Sequence, residues 1–363
     1  MNHTIRTCVA AALVAAVVVT ACGGDDDAGV PAVLPTVGTE VPRVTDAPDA
    51  APVASPADAA FPVTIAHKFG ETVISEPPER IVVVGLTEQD ALLALGVVPV
   101  ATTEWFGEHP GAIWPWAQDR LAALGAEPPV VLNADDGLNY EQIASLHPDL
   151  ILGLYAGLVD DEYTTLTQIA PTVAQPGEYV DWGVSWDEAL LTIGDIVGER
   201  ATAEALAAEV EALFTQAITD HPEFVGAAAA MATPYEGIWV YAPEDVRGRL
   251  LTSLGFEMPP SLSELATDEF GFDLSLEQAD LLDVDVLVWL DAEEVGRDDF
   301  AGALYHSLAV HTEGRDVFLD SDDEDAFGGA ASFVTVLSLP YLLDGIVPML
   351  AAALDGDPAT NAG

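Results

Sequence analysis

The sequence predicts an α/β protein with two similar Rossmann-like lobes, whose mostly parallel sheets are joined by one long α-helix. Three observations support this fold class: a helix-then-strand segment occurs twice, short apolar strands alternate with helices in both halves, and an uninterrupted helical stretch lies between the halves. The chain has 363 residues, of which 50% are hydrophobic, and this is enough material for two separate cores.

The repeated segment reads "YEQIASLHPDLILG" from Tyr140 and "LEQADLLDVDVLVW" from Leu276. Laid over each other without a gap, both copies have Glu-Gln after the first residue and end in an apolar, strand-like run. Asn139 or Ser275 precedes each copy and Gln follows three residues later, which fits a capping box at a helix start. Chance explains such a match poorly, so we expect the two halves to share a topology.

The apolar strands follow the same order in both halves. "ERIVVVGLTEQDALLALGVVPVAT" predicts a strand over 81–84, a helix ending at Leu95 and a second strand beginning near Val98. "GIWVYAPEDVRGRLLTSLGFEMP" predicts a strand over 238–241 and a helix ending at Leu254, which we interpret as the opening of the second half. Short, fully apolar strands alternating with helices indicate parallel sheets covered on both faces. The alternating "FPVTIAHKFGETVIS" before them predicts a β-hairpin.

The predicted connecting helix covers residues 200–219, after a break at Gly198. At about 1.5 Å per residue it would be about 30 Å long, enough to run along one lobe and reach the next. A single helix is a stiffer connection than several flexible strands. We therefore expect a ligand site between the lobes to close by only a few degrees.

The first 22 residues, "MNHTIRTCVAAALVAAVVVTAC", are typical of a secretory signal, with one Arg near the start, an apolar core and small residues at the end. The ending "VTAC" resembles the bacterial lipobox, which would make Cys22 the lipidated first residue of the mature protein. An uncleaved membrane anchor is the alternative. Lipidation predicts an extracytoplasmic protein held to the cell membrane by acyl chains.

The domain organisation follows from these elements and from composition. Residues 23–60 are rich in Pro, Ala, Gly and Asp without helical or strand periodicity, which is typical of a disordered tether. The predicted parts are a signal peptide with its lipobox Cys (1–22), the tether (23–60), an N-terminal lobe (61–198), an interlobe helix (199–220), a C-terminal lobe (221–353) and a tail (354–363).

Charge and missing motifs exclude several functions. The formal net charge is −51, from 61 acidic and 10 basic residues, so nucleic acid is not an expected partner. No G-x-S-x-G, phosphate-binding G-x-x-x-x-G-K or H-E-x-x-H motif occurs, and we expect no enzyme activity. The histidines are scattered without the spacing of a metal site, so we predict no bound cofactor and no protein-ligated metal.

Ligand-binding candidates come from the loops that follow strands, because ligands bind beyond the carboxyl ends of open α/β sheets. The candidates, which could instead be core packing residues, are Trp105, Phe106, Tyr155, Tyr241, Arg247, Arg249, Phe327 and Ser332. Arg247 and Arg249 are the basic residues in a strand-to-helix loop at the predicted cleft. They would give an acidic protein a local positive patch for carboxylate or catecholate oxygens. Pairing with Glu244 and Asp245 is the alternative.

A set of motifs resembles a known family. "PPERIVVVG", "LLALGVVPVA", "YEQIASLHPDLILG", "LTQIAPTV", "LEQADLLDVDVLVW" and "HTEGRDVFLD" cover the chain from about residue 61 to about 350. In this order, and behind a lipobox, they resemble the substrate-binding lipoproteins of bacterial iron–siderophore, haem and cobalamin ABC importers. The resemblance implies that the cleft captures a ferric siderophore, or haem, and that iron arrives inside the chelate.

The resemblance also implies a membrane partner. In that family one exposed glutamate on each lobe docks onto the permease dimer, and Glu141 and Glu277 occupy the matching positions. The residues alone are equally consistent with helix N-terminal acids that interact favourably with the helix dipole. Two functional alternatives stay open: a surface lipoprotein that captures haem or siderophore without feeding a permease, and an importer component for cobalamin or haem.

Overall fold

A computed structural model gives the structure, which describes residues 61–132, 137–235, 237–266, 270–291, 302–321, 326–357 and 359. The predicted signal peptide, the predicted lipidation site Cys22, the predicted tether and the end of the predicted tail lie outside these residues. The predicted hairpin is present as β1 (Val63–His67) and β2 (Gly70–Ile74), which pair antiparallel. Within the described residues, no helix combines the length and the apolar character that crossing a membrane requires.

The first lobe is built on a five-stranded sheet in which every neighbouring pair is parallel. Its strands are β3 (Ile81–Val83), β4 (Ala101–Thr103), β5 (Val130–Leu132), β6 (Leu150–Gly153) and β7 (Thr172–Ala174). Its helices are α1 (Glu88–Ala94), α2 (Pro115–Ala123), α3 (Tyr140–Ser145), α4 (Asp160–Leu166) and α5 (Trp186–Val197), with a 3₁₀ turn at Pro110–Ala112. The strands β3 and β6 are buried apolar runs, and β4 and β7 are equally buried although they contain threonines, as a sheet covered on both faces requires.

The second lobe repeats the plan with one change of direction. Its strands are β8 (Ala229–Pro234), β9 (Ile238–Tyr241), β10 (Gly271–Leu274), β11 (Val286–Leu290) and β12 (Asp316–Leu319). Its helices are α7 (Val246–Ser253), α8 (Pro260–Ser263), α9 (Gly302–Tyr305), α10 (Ala309–Thr312), α11 (Phe327–Phe333) and α12 (Ser338–Leu354), with 3₁₀ segments at Pro222–Phe224 and Leu276–Leu282. Only β9 runs against its neighbours.

Both sheets have the same strand order. Each places its first strand in the centre, its second and third on one side, and its fourth and fifth on the other, giving β5-β4-β3-β6-β7 and β10-β9-β8-β11-β12. This confirms the predicted fold class of two similar α/β lobes. The strand over 238–241 is therefore the second strand of its lobe, and our interpretation of it as the opening strand was wrong. The opening strand is β8, whose Ala-rich sequence "AAMATP" has little of the β-branched signal that marks strands.

The repeated segment has the same place in both lobes, directly before and within the fourth strand. The two copies also share a hydrogen bond. Asp149 accepts from the backbone N–H of Arg80 at 2.9 Å, and Asp285 accepts from the N–H of Ala228, also at 2.9 Å. Each bond ties the residue just before the fourth strand to the start of its lobe's central strand, so the repeat has a structural reason that is independent of function.

The connecting helix α6 spans Arg200–Asp220, after α5 ends at Gly198 in the left-handed conformation (φ 77°) that favours glycine. Its buried positions are spaced three or four residues apart, which is one face of an α-helix: Ala203, Ala207, Val210, Phe214 and Ala217. This face packs on α5 and on α12. One continuous apolar core therefore includes α5, α6, α12 and residues of both sheets.

A buried hydrogen bond joins the first lobe to the end of the chain. Asp90 on α1 is 1% exposed, and it accepts hydrogen bonds from Thr335 Oγ1 at 2.5 Å and from Trp116 Nε1 at 2.7 Å. Burial raises the pKa of Asp90 from 3.8 to about 6, against the lowering effect of these two hydrogen bonds. Between about pH 4 and pH 6, the folded protein therefore keeps a proton on Asp90 that the unfolded chain has already lost.

We expect Asp90→Asn to stabilise the protein at neutral pH by about 1–3 kcal/mol, because the amide oxygen keeps both hydrogen bonds without a buried charge. In the wild type the free energy of unfolding should fall as pH rises through the window from about 4 to 6, since only the folded state still binds this proton. Urea unfolding across that window should show that the free energy of unfolding depends less on pH in Asp90→Asn than in the wild type. Asp119→Asn, at an exposed position of α2, is the control, and equal slopes in all three proteins would contradict the prediction.

Candidate functional site

The candidate site is a cavity of about 560 Å³ between the two lobes. Its lining residues are mainly aromatic or apolar: Leu86, Trp105, Tyr155, Trp182, Thr233, Pro234, Tyr235, Trp239, Tyr241, Arg247, Phe270 and Asp291. A cavity of this size with few polar groups is typical of a small-molecule binding site.

The first lobe contributes residues that follow the carboxyl ends of its strands. Leu86 follows β3, Trp105 follows β4, Tyr155 follows β6 and Trp182 follows β7. Parallel strands bring all these ends to one edge of the sheet, which places the four side chains on one wall.

The second lobe contributes the facing wall from several elements. Thr233 and Pro234 end β8, and Asp291 directly follows β11. Trp239 and Tyr241 are two residues apart on β9, so they share one face of that strand. Because β9 is antiparallel, its carboxyl end does not lie at the same edge as those of the parallel strands. Tyr241 lines the cavity instead because it shares a face of β9 with Trp239.

Two glycines make room for two of the tryptophans. A Cβ on Gly157 would overlap the indole of Trp182, and a Cβ on Gly271 would overlap the indole of Trp239. Gly157 also has a φ of +56°, which favours glycine. Trp182 itself has a φ of 64°, an uncommon conformation for a side chain of this size and one that concentrates at functional sites.

Arg247 forms a buried ion pair at the base of the cavity. Its Nε and Nη2 donate to the two carboxylate oxygens of Asp245, at 2.6 Å and 2.7 Å. Asp245 also caps α7 by accepting from the N–H of Arg247 at 2.8 Å. The guanidinium lies 4.1 Å from the ring centre of Tyr241 and 6.0 Å from that of Trp105. The pairing alternative that the sequence left open is the arrangement that the structure adopts.

Tyr155 and Tyr241, two of the three tyrosines that line the cavity, stay uncharged hydrogen-bonding groups. Burial raises the pKa of Tyr155 well above its ordinary value, although Arg247 acts to lower it. Burial also raises the pKa of Tyr241. Glu88 holds the backbone at Tyr155 in place, because its buried carboxylate accepts from the N–H of Tyr155 at 3.0 Å and from that of Thr87 at 3.1 Å.

The structure brings Trp105, Tyr155, Tyr241 and Arg247 together on this cavity, and it places the other ligand-binding candidates elsewhere. Phe106 packs edge-on against Trp114, with ring centres 5.0 Å apart. A ligand-binding role for Phe106 stays a prediction that this placement does not favour.

Arg249 lies between the lobes rather than in the cavity. Its Nη2 donates to the carbonyl of Gly183 at 2.6 Å, and also to the carbonyl of Glu244. It lines a separate space of about 440 Å³ beside α6. Its observed contacts tie α7 of the second lobe to a loop of the first.

Phe327 and Ser332 belong to α11, away from the cavity. The Phe327 ring packs 5.4 Å from the ring of Tyr341 and fills the space that a Cβ on Gly345 would need. Ser332 is 7% exposed within the same helix. The late segment that suggested these two residues therefore packs against α12 in this structure.

Our sequence reasoning missed eight of the twelve residues that line the cavity. Trp239 had a usable signal, because it lies two residues before Tyr241 on the same strand. Asp291 had one as well, since it follows the fourth strand of its lobe as Tyr155 follows the fourth strand of the first lobe. Tyr235 and Phe270 had no such signal, because they lie in turns flanking β9 and β10 whose position depends on the fold.

The two docking candidates are exposed and occupy equivalent places in the two lobes. Glu141 lies on α3 and Glu277 on the 3₁₀ segment Leu276–Leu282, each just before a fourth strand. The predicted capping box forms only in part. Asn139 Oδ1 accepts from the N–H of Gln142 at 3.0 Å, whereas Ser275 Oγ donates to the Gln278 side chain.

Across the described ranges, no group of three or more His, Cys, Asp or Glu side chains is arranged to hold a metal ion. The described residues of the cavity wall offer carboxylate, guanidinium, hydroxyl and aromatic groups and include no histidine. These groups can hold a bulky organic molecule by packing, stacking and a few hydrogen bonds.

Comparison with known proteins gives a family match and several relatives. A family model described as "Periplasmic binding protein" matches residues 81–307. The ferric-anguibactin-binding protein FatB of Vibrio anguillarum is 24% identical over 304 residues, covering 79% of this chain and 87% of FatB. The probable siderophore-binding lipoprotein YfiY of Bacillus subtilis is 29% identical, covering 62% of this chain and 68% of YfiY.

Solved structures are similar over most of the chain. A periplasmic solute binding protein from Mycobacterium smegmatis is 38% identical with a TM-score of 0.69, covering 80% of this chain and 98% of that protein. PiaA of Streptococcus pneumoniae, solved in complex with ferrichrome, is 25% identical with a TM-score of 0.70, covering 81% of this chain and 99% of PiaA.

Proposed function

Because the chain belongs to the periplasmic binding protein family, we propose that it captures a ferric siderophore between its two lobes and delivers it to an ABC importer permease. The observation that carries this proposal is the aromatic cavity of about 560 Å³ to which both lobes contribute. Binding and docking are the whole mechanism, and no bond is made or broken.

The ligand class is supported by chemistry and by relatives. Trp105, Trp182 and Trp239 offer flat surfaces for the organic body of a chelate, while Arg247, Tyr155 and the neighbouring hydroxyl groups can donate to its oxygens. Ferric-anguibactin-binding FatB and the PiaA complex with ferrichrome are named for iron chelates. Iron held by an organic chelator needs no protein ligands of its own.

Delivery to a permease is supported by the positions of Glu141 and Glu277. Both are exposed, and they lie at equivalent places of two lobes with the same strand order. A pair of equivalent acids suits a two-fold partner, to which each would give orientation and association rate more than affinity. Anchoring through lipidated Cys22 completes the proposal and places the protein outside the cytoplasm at the cell membrane, as the lipoprotein name of YfiY also suggests for that relative.

Tryptophan fluorescence tests the binding proposal. Titration of the purified protein with ferric chelates should give saturable quenching, since several tryptophans line or adjoin the cavity. The same chelators without iron should bind more weakly. If no ferric chelate quenches the fluorescence, the proposed function is wrong, and quenching by haem alone would favour the haem-binding alternative.

Tyr235→Ala should weaken the best ligand by about 0.5–1.5 kcal/mol, roughly two- to twelve-fold, because one aromatic contact is lost. Tyr235 is 65% exposed in this structure, so its removal should leave stability unchanged. The control is Val225→Ala, which shortens a side chain of similar exposure (61%) outside the cavity. Equal affinities for the two variants would remove Tyr235 from the site.

A further inference from the structure

The charges on the cavity wall are few and nearly cancel. Among the described lining residues, Arg247 is the basic residue and Asp291 the acidic one. Arg247 does not act as a free cation, because both carboxylate oxygens of Asp245 accept from it within 2.7 Å. Arg247 is 5% exposed and Asp245 0%, so solvent does not screen this pair. Arg247 therefore brings no uncompensated positive charge to the cavity wall.

The surroundings add more negative charge. Glu104 directly precedes Trp105, and its Oε1 is buried without a hydrogen-bond partner within the described part of the chain. Arg249, the nearest other guanidinium in sequence, donates to two backbone carbonyls outside the cavity. The whole chain carries a formal charge of −51. An anionic chelate would approach this site against a repulsive potential.

Arg247 can still donate hydrogen bonds to a ligand. Asp245 takes Nε and Nη2, and Nη1 has no hydrogen-bond partner among the residues that the structure describes. The central carbon of the guanidinium lies 4.1 Å from the centre of the Tyr241 ring. A paired guanidinium of this kind donates to an oxygen without adding a net positive charge to the site. It suits oxygens whose charge is already balanced by the metal.

We infer that the cavity selects ferric chelates without net negative charge, of the trishydroxamate class, and that it disfavours tricatecholates and polycarboxylates. In a trishydroxamate the charges of the ligand groups balance those of Fe³⁺, whereas in a tricatecholate they outnumber them. The carbonyl-derived oxygens of hydroxamates accept from Arg247, and the aliphatic links pack on the aromatic wall. This inference rests on the proposed function and names the substrate class of the same site.

A panel of chelates that differ in charge tests it on the purified protein. The probes are ferrichrome (neutral), ferrioxamine B (a trishydroxamate with a free ammonium group), a ferric tricatecholate and ferric citrate. We expect the two trishydroxamates to bind at least about tenfold more tightly than either anion. Added NaCl should weaken ferrioxamine B and strengthen the anions, because it screens the negative field. An anion that binds as tightly as the trishydroxamates overturns the inference but leaves the proposed function in place, whereas no binding by any probe removes the proposed function itself.

Asp291→Asn supplies a matched variant. The amide oxygen can keep the hydrogen bond from Ser321 Oγ, which Asp291 accepts at 2.9 Å, while the wall charge is lost. The preference for ferrioxamine B over the tricatecholate should fall by about threefold to tenfold, the effect of one partly screened charge at close range. Asp119→Asn, an exposed position on α2, removes the same charge away from the cavity and should leave the ratio unchanged. If the two variants have the same ratio as the wild type, charge on this wall does not select the ligand.

Discussion

Replacing both Glu141 and Glu277 by alanine is expected to abolish uptake of the chelate by cells while leaving its affinity for the purified protein unchanged. Both side chains are exposed, and neither makes a side-chain hydrogen bond or an ion pair with a described residue. Their removal should therefore change neither fold nor cavity. What it removes is one acid from each lobe at the surface proposed to meet the permease.

The single variants should have intermediate effects if each acid meets one half of a two-fold partner. Uptake of iron-55 bound to the preferred chelate, in cells lacking the chromosomal copy, measures the loss. A double variant on α6, Glu204→Ala with Glu209→Ala, removes the same charge from an exposed helix and should transport normally. Normal uptake by Glu141→Ala with Glu277→Ala would exclude the docking role, and loss of chelate binding would show a structural role instead.

Arg247→Ala is expected to destabilise the folded protein by about 3–5 kcal/mol, because it leaves the buried carboxylate of Asp245 without its partner. The pair has two hydrogen bonds within 2.7 Å, and Asp245 is fully buried. Loss of chelate binding by this variant alone would therefore say little about contact between Arg247 and a ligand.

Urea unfolding of two variants separates the effects. Arg247→Met with Asp245→Ser removes both charges but keeps a hydroxyl oxygen that can cap α7. This double variant should lose less than half of the stability that Arg247→Ala loses, since no charge stays buried alone. If Arg247→Ala were as stable as the double variant, loss of the ion pair would not explain its destabilisation. Chelate affinity measured on the more stable double variant then reports on the guanidinium as a ligand contact.

Local patterns were sufficient to predict the fold class. Buried apolar strands, helices ending at glycine and the repeated segment are all properties of neighbouring residues, and the sheets confirm what they predicted. The error at β8 has a local cause too, because alanines in "AAMATP" fit a helix as well as a strand. The sequence does not show that β9 is antiparallel. The direction of a strand depends on how the connections before and after it cross the sheet, which neighbouring residues alone do not determine.

The candidate site was only partly predictable for a different reason. Trp105 and Tyr155 follow strands, and a rule about strand ends found them. Trp182 lines the same wall but lies several residues after β7, in a loop where its indole packs against Gly157. The charge of the site was least predictable of all. From the sequence Arg247 could be either a cation available to a ligand or a partner of Asp245, and only the fold shows that Asp245 neutralises it.

The hydrogen bond between Thr335 and Asp90 has a consequence for how this chain matures. Its partners are 245 residues apart, and Leu337 and Tyr341 also pack on the first lobe, against the apolar cluster around Leu93 and against Trp116. During synthesis the first lobe emerges long before these residues. The lobe stays incomplete until nearly the whole polypeptide has been released, which leaves a long time for a chaperone to bind it. The amino-terminal half expressed by itself should therefore remain loosely packed.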